Sequence, residues 1–175
     1  MESPWRVLEA GVRTAGPWAP SFFGFQQAGA FTTSARVMML LGFSEHNAVL
    51  NGPGRTQHTP NQAIVQWTGL IMSCVALPEL KNCSGLVSTA FAELEAWMDA
   101  QVYPDGVETE EAFGYDMMTA SAFFKVVALL QVAPGLPPPP QSYLHKVEQM
   151  FNYGVAANDQ YVGKPFLPRI CSRGH

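Results

Sequence analysis

Apolar residues recur at spacings of three and four along the chain, and prolines and glycines divide it into segments of helix length. No stretch alternates between apolar and polar residues over a useful length, as a half-buried strand would. The pattern therefore predicts an all-α protein. Helices of this length with short connections indicate antiparallel helical hairpins.

The breaks predict helices over residues 4–15, 18–30, 31–50, 60–77, 85–102, 111–132 and 142–153, with a break near Gly42 and a turn at residues 103–106. Ser84 and Ser142 are the predicted caps of the fifth and seventh helices. We place a helical domain at residues 1–153 and an irregular tail at residues 154–175. The tail is expected to continue into a longer protein.

Hydrophobic residues make up 47% of the 175 residues and charged residues 14%, so much of the chain is expected to be buried in one domain. Arg, Glu, Gln or Asn interrupts each apolar run, and we expect no membrane span. A net charge of −4 argues against binding to nucleic acid. The first residues lack a basic stretch followed by an apolar core, so no signal peptide is visible and the compartment is left open.

Three cysteines, Cys74, Cys83 and Cys171, form no metal-like cluster, and their odd number argues against a disulfide framework. Cys74 lies in an apolar helical run and is expected to be a buried small hydrophobe. We expect no metal site and no cofactor in this chain. The acidic run that begins at Glu108 is interpreted as first-turn acids of a helix.

Two polar residues stand near the starts of two predicted helices, Asn61 in the helix over residues 60–77 and Tyr115 in the helix over residues 111–132. Short connections make neighbouring helices antiparallel, so these two helices are expected to be parallel, with their N-termini on one face. Helix N-termini favour an anion without a lysine cluster. This face is therefore the predicted binding site for an acidic ligand.

An amide at this face has the chemistry to bind a carboxylate. Asn61 is expected to donate one hydrogen bond to it and Gln62 a second, and His58, just ahead of the helix, is a further candidate. Each residue also has a simpler interpretation. Asn near a helix start is most often a local cap, a loop His is most often solvent-exposed, and Tyr at a helix start is most often half-buried packing.

Three segments carry recognisable motifs: an opening helix over residues 5–18, an Asn-led helix over residues 61–80 that ends in Leu-Pro-Glu-Leu, and residues 101–115, which read Gln-Val-Tyr-Pro-Asp-Gly before reaching Tyr115. Together they resemble the N-terminal helical domain of the heparinase II/III-like and alginate or oligoalginate lyases. The resemblance runs from Trp5 to about Leu130, and the third segment is the most specific.

The resemblance implies an incomplete (α/α) toroid and β-elimination of uronic-acid-containing polysaccharides, with an acidic polysaccharide or oligosaccharide as partner. Asn61 matches the residue that binds and neutralises the uronate carboxylate, and Tyr115 matches the catalytic tyrosine. Hydrogen bonds to that carboxylate let the charge that develops on loss of the C5 proton delocalise into it. A phenol can then protonate the leaving oxygen, or act first as a base if it is deprotonated. Members of the family are mostly secreted or periplasmic.

The sequence departs from the family at Gln62 and Asp116, where members often have His. The family's further catalytic His or Tyr comes from regions C-terminal to this chain, so the missing C-terminal region of the same protein is an expected partner. The alternative is a non-catalytic helical carbohydrate-binding or interaction scaffold, an inactive or truncated lyase fragment. A glycoside hydrolase would need two carboxylates across a cleft, for which Asp105 and Glu111 are candidates.

Overall fold

A computed structural model describes residues 6–52, 60–109, 112–133 and 138–161. This part of the chain forms seven helices: α1 (Val7–Ala15), α2 (Trp18–Gln27), α3 (Thr33–Leu50), α4 (Pro60–Ala76), α5 (Cys83–Gln101), α6 (Phe113–Val132) and α7 (Gln141–Tyr161). An isolated antiparallel bridge between Val102 and Glu108 is the β-pairing found within these ranges. The all-α prediction is confirmed, whereas closure into part of a toroid stays a prediction.

Helix α4 lies at the centre of the structure and packs against α1, α3, α5 and α6, while α6 also packs against α7. The helical spacing of its apolar residues predicts one buried face, and this is confirmed by the burial of Ile64, Trp67, Ile71 and Cys74. The position of α4 explains why its residues dominate the core. Helices on several sides of it leave little of its surface to water.

The contact between α1 and α4 brings the two backbones together at Gly11 and Gly69. A Cβ atom added to Gly69 would lie 2.7 Å from the carbonyl oxygen of Gly11, and one added to Gly11 would lie 2.8 Å from the carbonyl oxygen of Val65. Real Cβ atoms do not approach other atoms so closely, so both positions require glycine. Small residues therefore determine how near the first helix lies to the central one.

Two predicted helix boundaries are corrected by the backbone. Helix α3 runs through Gly42 without a break. Helix α5 begins at Cys83 after Asn82, which has φ 62°, so Ser84 lies inside the helix rather than capping it. Asparagine is one of the few residues that adopt the left-handed conformation readily.

The last helix is also longer than predicted. Helix α7 begins at Gln141, so Ser142 is not its cap, and it continues past Tyr153 to Tyr161. The expectation that the irregular tail begins at residue 154 is therefore wrong for residues 154–161. Residues 162–175 lie outside the described part of the chain.

A disulfide between Cys74 and Cys83 joins the end of α4 to the start of α5, with the two Cα atoms 5.1 Å apart. The odd number of cysteines argues against a disulfide framework, and that argument does not predict this single bond. The short turn between α4 and α5 brings the two residues together, and the odd count leaves only Cys171 over. Cys74 is buried as predicted, but as half of a disulfide.

The spacing of apolar residues in α6 predicts one buried stripe, which is wrong at two of its five positions: Phe113, Met117, Ala120, Phe124 and Val127. Ala120 and Val127 are buried, but Phe113 and Phe124 are exposed to 40% and 53%. The buried face also includes Asp116, a charged residue that an apolar template passes over. Helix α6 packs against α4 on one side and α7 on the other, and the face buried by these contacts is not its most apolar face.

The same helix bears on the expectation that no apolar run is long enough to span a membrane. The segment Phe113–Gln131 is long and apolar enough by length and composition, and 44% of it is buried inside the protein. The expectation is wrong, because this one apolar segment is long enough to cross a membrane. The finding is weak evidence for a span, because core helices pass the same test.

A buried histidine joins α1, α2 and α3. The ring of His46 packs against Trp18, with ring centroids 4.3 Å apart, and its Nδ1 lies 2.9 Å from the carbonyl oxygen of Gly42. Its Nε2 lies 3.5 Å from Nη1 of Arg13. With Nδ1 donating and Nε2 accepting, the ring is neutral. Desolvation by burial lowers the pKa of His46 from its ordinary value.

Replacing Gly69 with alanine should destabilise the protein by about 1–3 kcal/mol, because the new methyl group would overlap the backbone of α1. Gly24 in α2 is a matched control, since a Cβ there meets nothing within 4 Å. Gly24→Ala should raise stability by about 0.4–1 kcal/mol. The free energy of unfolding in urea measures both, and an equal change in the two variants would contradict the close crossing.

Breaking the disulfide should lower the free energy of unfolding by about 2–3 kcal/mol, because the unfolded chain regains the freedom of a short loop. Cys83→Ser tests this, and Cys171→Ser is the control in which the bond remains. In the unreduced, denatured protein, thiol titration should find one free thiol among the three cysteines. Three free thiols after air-exposed purification would refute the bond.

Stability should fall on acidification through the buried histidine. Because the folded-state pKa of His46 lies below the unfolded value of 6.5, its contribution is complete above pH 6.5 and is lost as the pH falls through the folded-state pKa. Urea unfolding between about pH 7.5 and about pH 5 should show a smaller loss in His46→Gln than in the wild type. An unchanged slope in His46→Gln would contradict the assignment.

Candidate functional site

Asn61 and Tyr115 both lie in the first turn of a helix, as predicted. Helix α4 begins at Pro60 and α6 begins at Phe113, and the two helices pack against each other. Gln62 is partly buried. The first turns of two contacting helices thus carry the candidate site residues.

The structure leaves two of the predicted residues without a described side chain. His58 lies outside the described residues, and of Asn61 the structure describes the backbone alone. The convergence of Asn61, Gln62 and His58 with Tyr115 therefore stays a prediction. The packing of α4 against α6 is compatible with it.

The side chain of Tyr115 is 50% exposed, and its backbone N–H donates to the carbonyl oxygen of Ala112 at 2.8 Å. A phenol in this position is held by a helical backbone while its ring reaches solvent. It is therefore available to a ligand from outside. Helix α6 has no side-chain cap at Ala112, so its first turn keeps the partial positive charge of a helix start.

Asp116, next to Tyr115, does not reach the exposed face. Its side chain is fully buried, and Oδ1 accepts the backbone N–H of Glu108 at 2.9 Å. An acid beside Tyr115 would repel an anionic substrate if it faced the same side, but Asp116 is buried. Successive residues of a helix point about 100° apart, so a buried Asp116 is consistent with an exposed Tyr115.

The interpretation of Glu108 as a first-turn acid is wrong. It precedes α6, pairs with Val102 in the isolated bridge, and is fully buried. One of its carboxylate oxygens accepts the hydroxyl of Thr119 at 3.4 Å. Glu108 thus belongs to the interior of the turn rather than to the helix surface. Glu110 and Glu111 lie outside the described residues.

The turn predicted at residues 103–106 is confirmed, since the N–H of Gly106 donates to the carbonyl oxygen of Tyr103 at 2.9 Å. The N–H of Tyr103 donates in turn to the carbonyl oxygen of Val107 at 2.9 Å, and Asp105 accepts the N–H of Val107 at 3.3 Å. The N–H of Thr109 donates to the carbonyl oxygen of Gln101, at the end of α5, at 2.9 Å. The segment is a small hydrogen-bonded hairpin that connects α5 to α6.

Gly106 explains the Pro-Asp-Gly part of the motif. Its φ is 90°, which disfavours side chains, and a Cβ there would overlap the carbonyl oxygen of Gln149 and lie 2.7 Å from the backbone nitrogen of Met150. The hairpin is therefore pressed against the backbone of α7. Any other residue at this position would push the hairpin and α7 apart.

Sequence reasoning missed Asp116 and Glu108 as buried partners. They are 8 residues apart and neither lies on an apolar period, so no simple pattern pairs them. The available signal was composition. Only 14% of the residues are charged. An acid within an apolar helix of such a chain therefore indicates a buried, hydrogen-bonded carboxyl group.

Two other features carry no predicted site residue. A surface groove of about 300 Å³ lies between α6 and α7, lined mainly by apolar side chains: Phe124, Val127, Leu144, Val147, Glu148, Phe151 and Asn152. Within the described ranges, no group of three His, Cys, Asp or Glu residues could hold a metal ion. Of the two carboxylates considered for a glycoside hydrolase, Asp105 lies on the exposed hairpin and Glu111 is not described.

Solved structures share the fold of this chain: the heparinase III-BT4657 gene product has a TM-score of 0.69 at 22% identity, and the heparan sulfate lyase HepC from Pedobacter heparinus has 0.66 at 24%. Each match covers 86% of this chain and 23% of the solved chain, so this chain spans about a quarter of those proteins. No curated protein matches the sequence.

The sequence model of the family described as Heparinase II/III N-terminus matches residues 1–164. That match spans nearly the whole chain and includes both candidate helix starts and the hairpin between α5 and α6. The resemblance seen in the motifs is thereby confirmed. The chain belongs to the heparinase II/III N-terminal family.

Proposed function

We propose that this chain is the N-terminal helical part of a polysaccharide lyase that cleaves uronic-acid-containing polysaccharides by β-elimination. The observation that carries the proposal is the half-exposed phenol of Tyr115 in the first turn of α6, on a helix packed against the one that begins with Pro60 and Asn61. Family membership supports the reaction class. The name of the solved relative from Pedobacter heparinus supports heparan sulfate as the first substrate to test.

In the proposed reaction, Asn61 and Gln62 donate hydrogen bonds to the uronate carboxylate. The carboxylate then accepts charge as a base removes the C5 proton. The base is a group from the remainder of a longer protein, or Tyr115 itself in its deprotonated form. The C4–O bond breaks, a C4–C5 double bond forms, and the phenol of Tyr115 protonates the leaving oxygen.

The helix starts assist by their charge. Helix α4 has neither an acidic nor a basic residue in its first turn, and the acid in the first turn of α6, Asp116, is bonded inside the protein. The partial positive charge at the start of α4 is therefore left for the substrate, whereas that of α6 also acts on Asp116. This offsets the net charge of −4, because local fields govern binding more than net charge does.

Tyr115→Phe should reduce elimination by about 100-fold or more, since it removes the proton donor and nothing else. The measurement is the ultraviolet absorbance of the unsaturated uronate product, with heparan sulfate, alginate and hyaluronan in turn. Tyr103→Phe is the matched control, because Tyr103 is 48% exposed on the neighbouring hairpin. It should keep the wild-type rate, and both variants should unfold at the wild-type temperature.

The other outcomes separate the alternatives. An equal loss in both variants would contradict the role of Tyr115. Binding of heparan sulfate oligosaccharides by calorimetry without any product would support the non-catalytic carbohydrate-binding scaffold instead. Neither binding nor product on any of the three polymers would contradict a carbohydrate function for this chain.

A further inference from the structure

We propose that Asp116 is a positioning residue for Tyr115: its buried carboxylate holds the hairpin over residues 102–109 against the first turn of α6, and so fixes the direction of the phenol. The inference rests on the proposed function for its catalytic consequence. Its structural part concerns Asp116, Glu108 and Tyr115 alone, and can be tested whether or not the chain is active.

The first step is the bond itself. Oδ1 of Asp116 accepts the backbone N–H of Glu108 at 2.9 Å, and both residues are fully buried. A buried carboxylate is costly unless it is hydrogen-bonded, and a charged acceptor makes a strong bond to a backbone N–H. The bond therefore joins the hairpin and the helix where water cannot compete for either partner.

The second step is the position of Asp116 in the helix. It is the acid in the first turn of α6, whose start has no side-chain cap. The partial positive charge of a helix start favours a hydrogen-bond acceptor there, and Oδ1 of Asp116 is such an acceptor. Because Tyr115 is the preceding residue, a rotation of the first turn that moved Asp116 would move the phenol as well.

The third step is the support of the hairpin from its other sides. Gly106 lies against the backbone of α7 at Gln149, and the hydroxyl of Thr109 donates to Oε1 of Gln101 at 2.6 Å. Helices α5 and α7 thus hold the hairpin on two sides, and Asp116 bonds it to α6. Because the hairpin is held by α5 and α7, its hydrogen bond to Asp116 restrains the first turn of α6.

The main test compares Asp116→Ala with Asp116→Asn. The amide oxygen of asparagine can still accept the N–H of Glu108, whereas alanine cannot. In Asp116→Ala, exchange of the Glu108 amide should become at least about tenfold faster, and the ring resonance of Tyr115 in ¹³C-tyrosine NMR should shift and narrow. The Tyr115→Phe variant assigns that resonance among the five tyrosines. Asp116→Asn should restore both readouts.

Thr119→Val is the matched control. It removes a hydroxyl bonded to Glu108 in the same buried cluster but leaves the bond from Asp116 to the hairpin, so the Tyr115 resonance should stay in place. If Asp116→Ala does not fold, the same two measurements on Asp116→Asn alone test the proposal. A protected Glu108 amide with a wild-type Tyr115 resonance supports the proposal, and a shifted Tyr115 resonance despite a protected amide overturns it.

The catalytic consequence has its own readout. With a substrate that gives product, Asp116→Ala should lower kcat about tenfold with KM within about twofold, because the phenol is misplaced while the carboxylate contacts remain. Asp116→Asn should restore kcat without moving the pH profile, whereas a moved profile would indicate proton transfer by Asp116 and overturn a purely positioning role. If no polymer gives product, the proposed function fails, and amide exchange with NMR still decides whether Asp116 positions Tyr115.

Discussion

The close crossing of α1 and α4 is the contact on which the rest of the structure depends. Gly11 and Gly69 let the two backbones approach closely, and α4 then presents its remaining sides to α3, α5 and α6. A wider separation would open the core around Trp67, which is almost completely buried. Interiors of proteins are packed too closely to absorb such a shift.

The candidate site is built outward from that central helix. Helix α6 packs on α4 and brings its first turn, with Tyr115, to the surface, while the hairpin before it is held by Asp116 on one side and α7 on the other. The motif through which the family is recognised is thus largely a structural device. Its glycine allows the backbone contact with α7, and its tyrosine side chain is the part that reaches solvent.

Much of this could be predicted from the sequence, because it rests on local signals. Helix positions follow from the apolar period and from the breaks at proline and glycine, and the large buried residues of α4, Ile64, Trp67 and Ile71, recur at helical spacing. The buried face of α6 could not be predicted, because Phe124 is more apolar than Asp116 and yet is the exposed one. That choice is made by neighbours distant in sequence. The pairing of Cys74 with Cys83 was missed for a different reason: an odd count excludes a complete set of disulfides but not a single one.

That disulfide has a consequence for where the protein can be made. Disulfides form and persist in oxidising compartments and are rare where thiols are kept reduced. The bond fastens the end of the central helix to its neighbour α5, so a chain synthesised in a reducing cytoplasm would have that junction held by packing alone. Export, or expression in an oxidising compartment, would therefore give a protein with a higher free energy of unfolding from the same sequence.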